Sequence, residues 1–148
     1  LNVLDECVGS AKIRFQDHNV TVVKQYDSDH VDVIEADPDQ MKEIFINLLN
    51  NAYQAFAHKM GTIELIVRRD QENQVSVVVK DNGMGIDEED LDKVFAPFFT
   101  RKSKGTGLGL TICNELVDLH HGKIIIESRK REGTSVNVIL PMTRDHHG

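Results

Sequence analysis

The spacing of apolar positions along this chain switches between helical and strand periods, and each switch marks an element. Val3, Leu4, Cys7, Val8, Ala11 and Ile13 to Phe15 recur near the 3.6-residue period, which predicts a short amphipathic helix over residues 2–15. Strands are expected at Val20–Tyr26 and Val31–Glu35, separated by the polar turn Asp27-Ser28-Asp29. Asp37-Pro38 then signals a helix start, because the aspartate can cap free N–H groups and proline at the first helical position loses no needed donor. That helix is expected to run to about His58 and to bury Met41, Ile44, Phe45, Leu48, Leu49, Ala52, Ala55 and Phe56.

Gly61 is expected to break this helix. Ile63, Leu65 and Val67 alternate with Glu64, Ile66 and Arg68, and Val75, Val77 and Val79 repeat the period of two. These runs predict a hairpin with its turn around Gln71–Asn73 and its second strand ending at Asp81. Asp87-Glu88-Glu89-Asp90 suits the positive end of a short helix. Nothing from Phe95 to Thr106 is periodic, so that segment reads as a loop. Gly107 to about His121 reads as a helix with Ile112, Leu116, Val117 and Leu119 against the core and Gly122 ending it. Strands Lys123–Ser128 and Ser135–Leu140 follow, joined by the basic turn Arg129–Gly133. Helices and strands mix without strict βαβ alternation. The expected fold class is therefore α+β, a two-layer α/β sandwich whose mixed, mostly antiparallel sheet is covered on one face by about three helices.

Composition narrows the setting. With 148 residues, 40% hydrophobic and 28% charged, the chain is expected to form a single domain over residues 1–148. Its 17 basic and 24 acidic side chains give a formal charge of −7, which offers no general attraction to nucleic acid or an anionic membrane, so an anion must be held locally. No apolar run approaches the roughly 20 residues that span a bilayer, and no charged leader precedes an apolar segment, so the chain is expected to be cytoplasmic. Leu1 is not a start methionine, and the chain is expected to be a piece of a longer protein. Cys7 and Cys113 match no CxxC spacing and read as buried apolar residues. The adjacent pairs His120-His121 and His146-His147 point to different sides of an element, and Asp81 to Asp87 lacks the third-position oxygen of a calcium loop. No structural metal is expected.

Three clusters carry candidate chemistry. Asn47 and Asn51 are one helical turn apart on a single face, with Glu43 before and Gln54 after. Each asparagine costs a helix interior roughly 0.5 kcal/mol relative to alanine. They are either a solvated stripe or hard amide ligands suited to a Mg²⁺ that keeps waters and phosphate oxygens. Asp81 sits where a hydrophobic strand meets Asn82-Gly83-Met84-Gly85-Ile86. A carboxylate buried there can accept from an exocyclic amine, and Gly83 and Gly85 let backbone approach a flat base. The plain alternative is an ordinary Asp-Asn-Gly turn. Gly105-Thr106-Gly107-Leu108-Gly109-Leu110 opens a helix, whose free N–H groups suit phosphate. Its spacing is neither a dinucleotide fingerprint nor a Walker loop, and it also suits a hinge. Arg101, Lys102 and Lys104 can reach phosphates or remain solvated, and Phe95, Phe98 and Phe99 either dock onto a surface or anchor the loop in the core.

Taken in order, these clusters resemble the catalytic ATP-binding domain of a sensor histidine kinase, within the GHKL superfamily that includes gyrase B and MutL. Asn47 to Ala52 resembles the N box, Asp81 to Ile86 the first glycine box, Phe95-Ala96-Pro97-Phe98-Phe99-Thr100 the F box and Gly105 to Leu110 the second glycine box. Gly133-Thr134 is similar to the family's closing element, and Asn51-Ala52-Tyr53-Gln54-Ala55-Phe56 is similar to the nitrogen-regulation type.

The resemblance implies a Bergerat fold with ATP and Mg²⁺ as cofactors. Asp81 would bind the adenine amino group, Asn51 and Asn47 would hold Mg²⁺ against the phosphates, and residues 95–106 would form the ATP lid. It assigns further ATP contacts to Gln54, Gly83, Gly85, Ile86, Arg101, Lys102, Gly105, Thr106, Gly107, Leu108, Gly109 and Thr134. Hydrolysing members of the superfamily carry a glutamate where Asn47 stands. An amide cannot serve as that base, which favours phosphoryl transfer to a presented nucleophile. Many histidine kinases have lysine where this chain has Gln54, so Lys102 or Arg101 would supply that charge.

None of His18, His30, His58, His120, His121, His146 and His147 lies in the His-Glu/Asp-x-x-x-Pro context of a phosphoacceptor helix. The chain thus resembles the donor half. The implied partners are the parent protein's own dimerisation and phosphotransfer domain and a response regulator receiver domain, with no nucleic acid. The isolated domain is expected to be monomeric and the full protein homodimeric, with membrane anchoring of the parent left open. Two other readings stay open: a serine kinase of the anti-sigma class, and a catalytically silent nucleotide-sensing module.

Overall fold

The computed structural model describes residues 2–26, 37–56, 60–69, 74–85, 109–129 and 131–141. In chain order they form α1 (Asn2–Arg14), β1 (Asn19–Tyr26), α2 (Pro38–Gln54), β2 (Met60–Arg69), β3 (Gln74–Asp81), α3 (Gly109–Leu119), β4 (Lys123–Arg129) and β5 (Gly133–Pro141). The strand expected at Val31–Glu35, the turn at Gln71–Asn73, the helix expected from Asp87 and the loop over 95–106 lie outside the described residues.

The five strands form one sheet in the order β1-β2-β3-β5-β4. β1 and β2 pair in parallel, with Val22 beside Ile63, and α2 makes the crossover between them. All other pairs are antiparallel. Strand periodicity sends Ile63, Leu65 and Val67, then Val75, Val77 and Val79, then Val136, Val138 and Leu140 into one buried cluster with the stripes of all three helices. This is the two-layer α+β sandwich, with a mixed and mostly antiparallel sheet.

α2 is the central helix of the layer. Asp37 caps it as the sequence suggests: its backbone is extended and its carboxylate accepts from the N–H groups of Asp39 and Gln40 at 2.9 and 3.2 Å. Its buried face carries Met41, Ile44, Phe45, Leu48, Leu49, Ala52 and Tyr53. α1 runs alongside in the same direction, with the Cys7 thiol donating to the Lys42 carbonyl and Phe15 stacked on Tyr53 with centroids 4.9 Å apart. α3 runs the opposite way on the other flank. Cys113 donates to the Ile44 carbonyl at 3.5 Å and His120 meets Asp37. Both cysteines are buried and free. Among the described residues no helix is long and apolar enough to cross a membrane.

Four details differ from the sequence expectation. α2 ends at Gln54 rather than His58, because the Ala55 carbonyl is taken by the Met84 N–H of a distant turn at 2.9 Å. Gly61 does not break the helix but lies in β2, where any Cβ would collide with the Phe56 ring at 2.1 Å. Leu119 is 67% exposed instead of facing the core, since the buried side of α3 passes through Cys113 and Val117 with Leu116 beside them.

The end of α3 is the fourth. His121 and Gly122 donate to the carbonyls of Asp118 and Val117, both at 2.9 Å, which is the paired bonding of a Schellman cap. The left-handed position of that cap is His121, with φ 62°, and not Gly122. Gly122 is needed for a different reason: a Cβ there would lie 2.2 Å from the Ile139 carbonyl oxygen of β5. The strain at His121 should be removable. His121→Gly is expected to raise stability by about 0.5–1 kcal/mol in denaturant unfolding, because glycine enters the left-handed region without the Cβ penalty. A variant less stable than the parent would show that the ring makes contacts worth more than the strain.

Candidate functional site

Asp81 is the last residue of β3, paired with Ile63 of β2 on one side and Thr134 of β5 on the other. Its side chain points to the helical layer, and among the described residues it is the one charged side chain that is buried, at 7% exposure. Such a carboxylate must be compensated. Part of that comes from the next turn, where the Gly83 N–H donates to Asp81 Oδ1 at 2.9 Å.

That turn is docked on the end of α2. A Cβ on Gly83 would sit 2.6 Å from the Ala55 carbonyl oxygen, so only glycine allows the approach, and the Met84 N–H seals it by donating to the same oxygen. Gly85 leaves the turn at φ 71°. Ala55 is one turn beyond Asn51, whose carbonyl accepts the Ala55 N–H at 3.1 Å. The glycine turn and the asparagine face, separated by about thirty residues of sequence, are thereby neighbours.

A second brace comes from the hairpin of β4 and β5. Gly133, at φ 124°, presses against the Asp81 backbone so closely that a Cβ would lie 2.1 Å from the Asp81 carbonyl oxygen. The Arg131 N–H donates to the Met84 carbonyl at 2.6 Å, and Asn82 Oδ1 accepts from the Thr62 N–H of β2 at 2.9 Å. Ser128 donates its hydroxyl proton to the Gly133 carbonyl at 3.0 Å, so the 2.8 Å contact with Thr134 is made by the threonine proton. Thr134 therefore keeps oxygen lone pairs to offer beside Asp81.

On α2, Asn47, Asn51 and Gln54 share a half-buried face turned away from the core stripe. Asn47 is also tied to α3 through a hydrogen bond with Cys113. Burial pushes the Cys113 thiol up to about 12, with the Asn47 bond pulling the other way, so this sulfur is a packing group and not a nucleophile. With Cys113 facing Ile44 and Asn47, the antiparallel run of α3 brings its first residue, Gly109, level with the stretch from Asn47 to Asn51.

The structure thus brings together Asp81, Gly83, Gly85 and Thr134 at the sheet end, Asn47, Asn51 and Gln54 on α2, and Gly109 opening α3. Ile86, Arg101, Lys102, Gly105, Thr106, Gly107 and Leu108 lie outside the described residues. Sequence reasoning passed over Asn82 and Ser128, which orient their neighbours, and Asn50. The buried Asn50 Oδ1 has no hydrogen-bond partner among the described residues. Its spacing of three from Asn47 was the available signal.

The donor set suits adenine at one end and a phosphate-borne cation at the other. A buried carboxylate acceptor beside a turn closed to side chains matches a flat base bearing an amine. Among the described residues no group of three or more His, Cys, Asp or Glu could hold a metal by itself. Neutral amides with an unpartnered oxygen nearby suit a Mg²⁺ that brings most of its oxygen ligands as phosphate and water.

Comparisons with known proteins give the family and the fold. The family described as histidine kinase-, DNA gyrase B-, and HSP90-like ATPase matches residues 36–144. Sporulation kinase A of Bacillus subtilis is 36% identical over 124 residues, covering 84% of this chain and 20% of that protein. The sensor histidine kinase ZraS of Klebsiella oxytoca is 38% identical over 109 residues, covering 74% of this chain and 23% of that protein. Among solved structures, the nucleotide-free catalytic domain of the histidine kinase ThkA superposes with a TM-score of 0.82 at 34% identity, covering 96% of this chain and 91% of the other. The chain spans about a fifth of the length of these two kinases.

Proposed function

The chain belongs to the histidine kinase-, DNA gyrase B- and HSP90-like ATPase family, as the ATP-binding domain found in two-component sensor kinases, and we propose that it binds Mg-ATP and donates the γ-phosphoryl group to a histidine. That histidine would lie on a dimerisation and phosphotransfer domain of the parent protein, with a response regulator receiver domain as the next acceptor. The parent would be a homodimer and this domain would work in the cytoplasm.

The observation that carries the reading is the joining of two unlike surfaces: the buried Asp81 carboxylate with its closed glycine turn, locked onto the helix that presents Asn47 and Asn51. In this reading Asp81 accepts from the adenine amine, while Thr134 offers an oxygen beside it. Asn51 and Asn47 would hold the Mg²⁺, which when bound offsets charge on the phosphates. Asn47 takes no proton from water, so the site leaves ATP intact until a nucleophile is presented. The imidazole nitrogen of the acceptor then forms the P–N bond as the bond to the β-phosphate oxygen breaks, with ADP keeping that electron pair.

The test is to incubate the chain with γ-labelled ATP and the separately purified acceptor domain of its parent. Acid-labile, alkali-stable label on the acceptor is the expected outcome. Acid-stable label would instead establish the serine kinase, and absence of any label with nucleotide still bound would establish a silent nucleotide module.

A further inference from the structure

His120 follows α3 and makes two hydrogen bonds that constrain its chemistry. Its Nδ1 lies 2.9 Å from the Leu116 carbonyl one turn earlier, and its Nε2 receives the Asp37 N–H at 3.3 Å. A carbonyl oxygen only accepts, so Nδ1 must carry the proton, and a backbone N–H only donates, so Nε2 must present its lone pair. Both contacts hold together only in the neutral ring with the proton on Nδ1. The Asp37 N–H is also the donor at the cap residue of α2, which its own carboxylate, engaged with Asp39 and Gln40, does not serve.

We propose that His120 is a positioning residue that ties the end of α3 to the start of α2 and thereby sets how the opening of α3 stands against the amide face of Asn47 and Asn51. The two helices are antiparallel and touch at Cys113, between these ends. From Cys113 to His120 is roughly 10 Å of helix and from Cys113 back to Gly109 roughly 6 Å, at about 1.5 Å per residue. With Cys113 as fulcrum, a displacement of about 1 Å at the His120 end swings the Gly109 end by roughly 0.6 Å in the opposite direction. Errors of that size at a reacting centre are enough to change rates. The tie itself is independent of any ligand; its consequence for nucleotide rests on the function proposed above.

Two variants and one spectrum test it. Nitrogen shifts of the wild-type ring should show a protonated Nδ1 and a lone pair on Nε2. His120→Leu removes both contacts, and amide exchange in the first turn of α3, around Gly109 to Cys113, should become about tenfold faster, with ATP affinity about five- to tenfold weaker. His120→Gln, which can donate and accept through one amide, should bring both readouts back to within about twofold of wild type. A ring protonated on Nε2, unchanged exchange in the leucine variant, or equal loss in both variants would overturn the proposal. If the wild-type chain bound no ATP, the proposed function would fall, while the ring spectrum and the exchange rates would still decide the tie. If His120→Leu did not fold, the wild-type spectrum and the glutamine variant would do so.

Discussion

Asp81→Asn is expected to weaken ATP binding by about 100-fold or more while leaving the domain folded. The substitution is nearly isosteric. Asparagine retains one oxygen, and that oxygen can go on accepting the Gly83 N–H that shapes the glycine turn. Three further braces of the turn are backbone or belong to other side chains: Gly133 against the Asp81 carbonyl, Met84 to Ala55, Asn82 to Thr62. What changes is the other carboxylate oxygen, which becomes an NH₂ donor. Facing the amino group of adenine, it sets donor against donor in a place that is 93% removed from solvent, as the 7% exposure of Asp81 implies. A buried polar group left without its partner costs about 1–3 kcal/mol, and more where a charged acceptor is lost, which is the source of the factor of 100. Calorimetric titration with ATP beside an unfolding curve checks both halves. Unchanged affinity in a folded variant would remove Asp81 from the adenine contact, and a compensating gain for a purine with a carbonyl at that position would confirm that the residue reads the base.

Much of this domain was legible in the sequence because local physics fixed it. Asp37-Pro38 marks the start of α2 by chemistry that acts within one turn, and the structure repeats it bond for bond. The strands at β2, β3 and β5 announce themselves because one face of each is buried, which forces strict alternation. The N box and the glycine turn were legible as unusual residues in unusual places, though nothing in their spacing says that Gly83 touches Ala55. Contacts made across the chain left no local mark. The parallel pairing of β1 with β2, the stop of α2 at Gln54 and the docking of Arg131 on Met84 are all decided by distant backbone. Leu119 was misplaced because its apolar character was taken to place it against the core, whereas the helix offers one stripe, through Cys113 and Val117 with Leu116 beside them. His121 escaped because the left-handed position of a cap is usually sought at the glycine, and here the adjacent glycine is consumed by contact with β5.

Gly133→Ala should damage the site from behind, and more severely than any substitution of a contact side chain. Two penalties coincide at this position. At φ 124° the backbone lies where a residue with a Cβ is strained whatever the space around it, which costs on the order of 1–3 kcal/mol. The Cβ would also stand 2.1 Å from the Asp81 carbonyl oxygen and 3.0 Å from the Asn82 Cα, so something in the backbone must move. Neither side can yield cheaply. Asp81 is laddered between β2 and β5, and the Gly133 carbonyl is held by Ser128. A combined loss of about 3–5 kcal/mol is expected, a large part of the ~5–15 kcal/mol that holds a domain of this size together. The useful measurement is nucleotide affinity at a temperature where the variant is still folded. If Gly133 serves only stability, affinity per folded molecule will match wild type. If it sets the position of Asp81 in the pocket, affinity will fall in the folded fraction too, because the strand end that carries the carboxylate has been displaced. Since the same glycine turn rests on Ala55, the displacement should reach Asn51, so binding of the base and binding of the phosphates should weaken together.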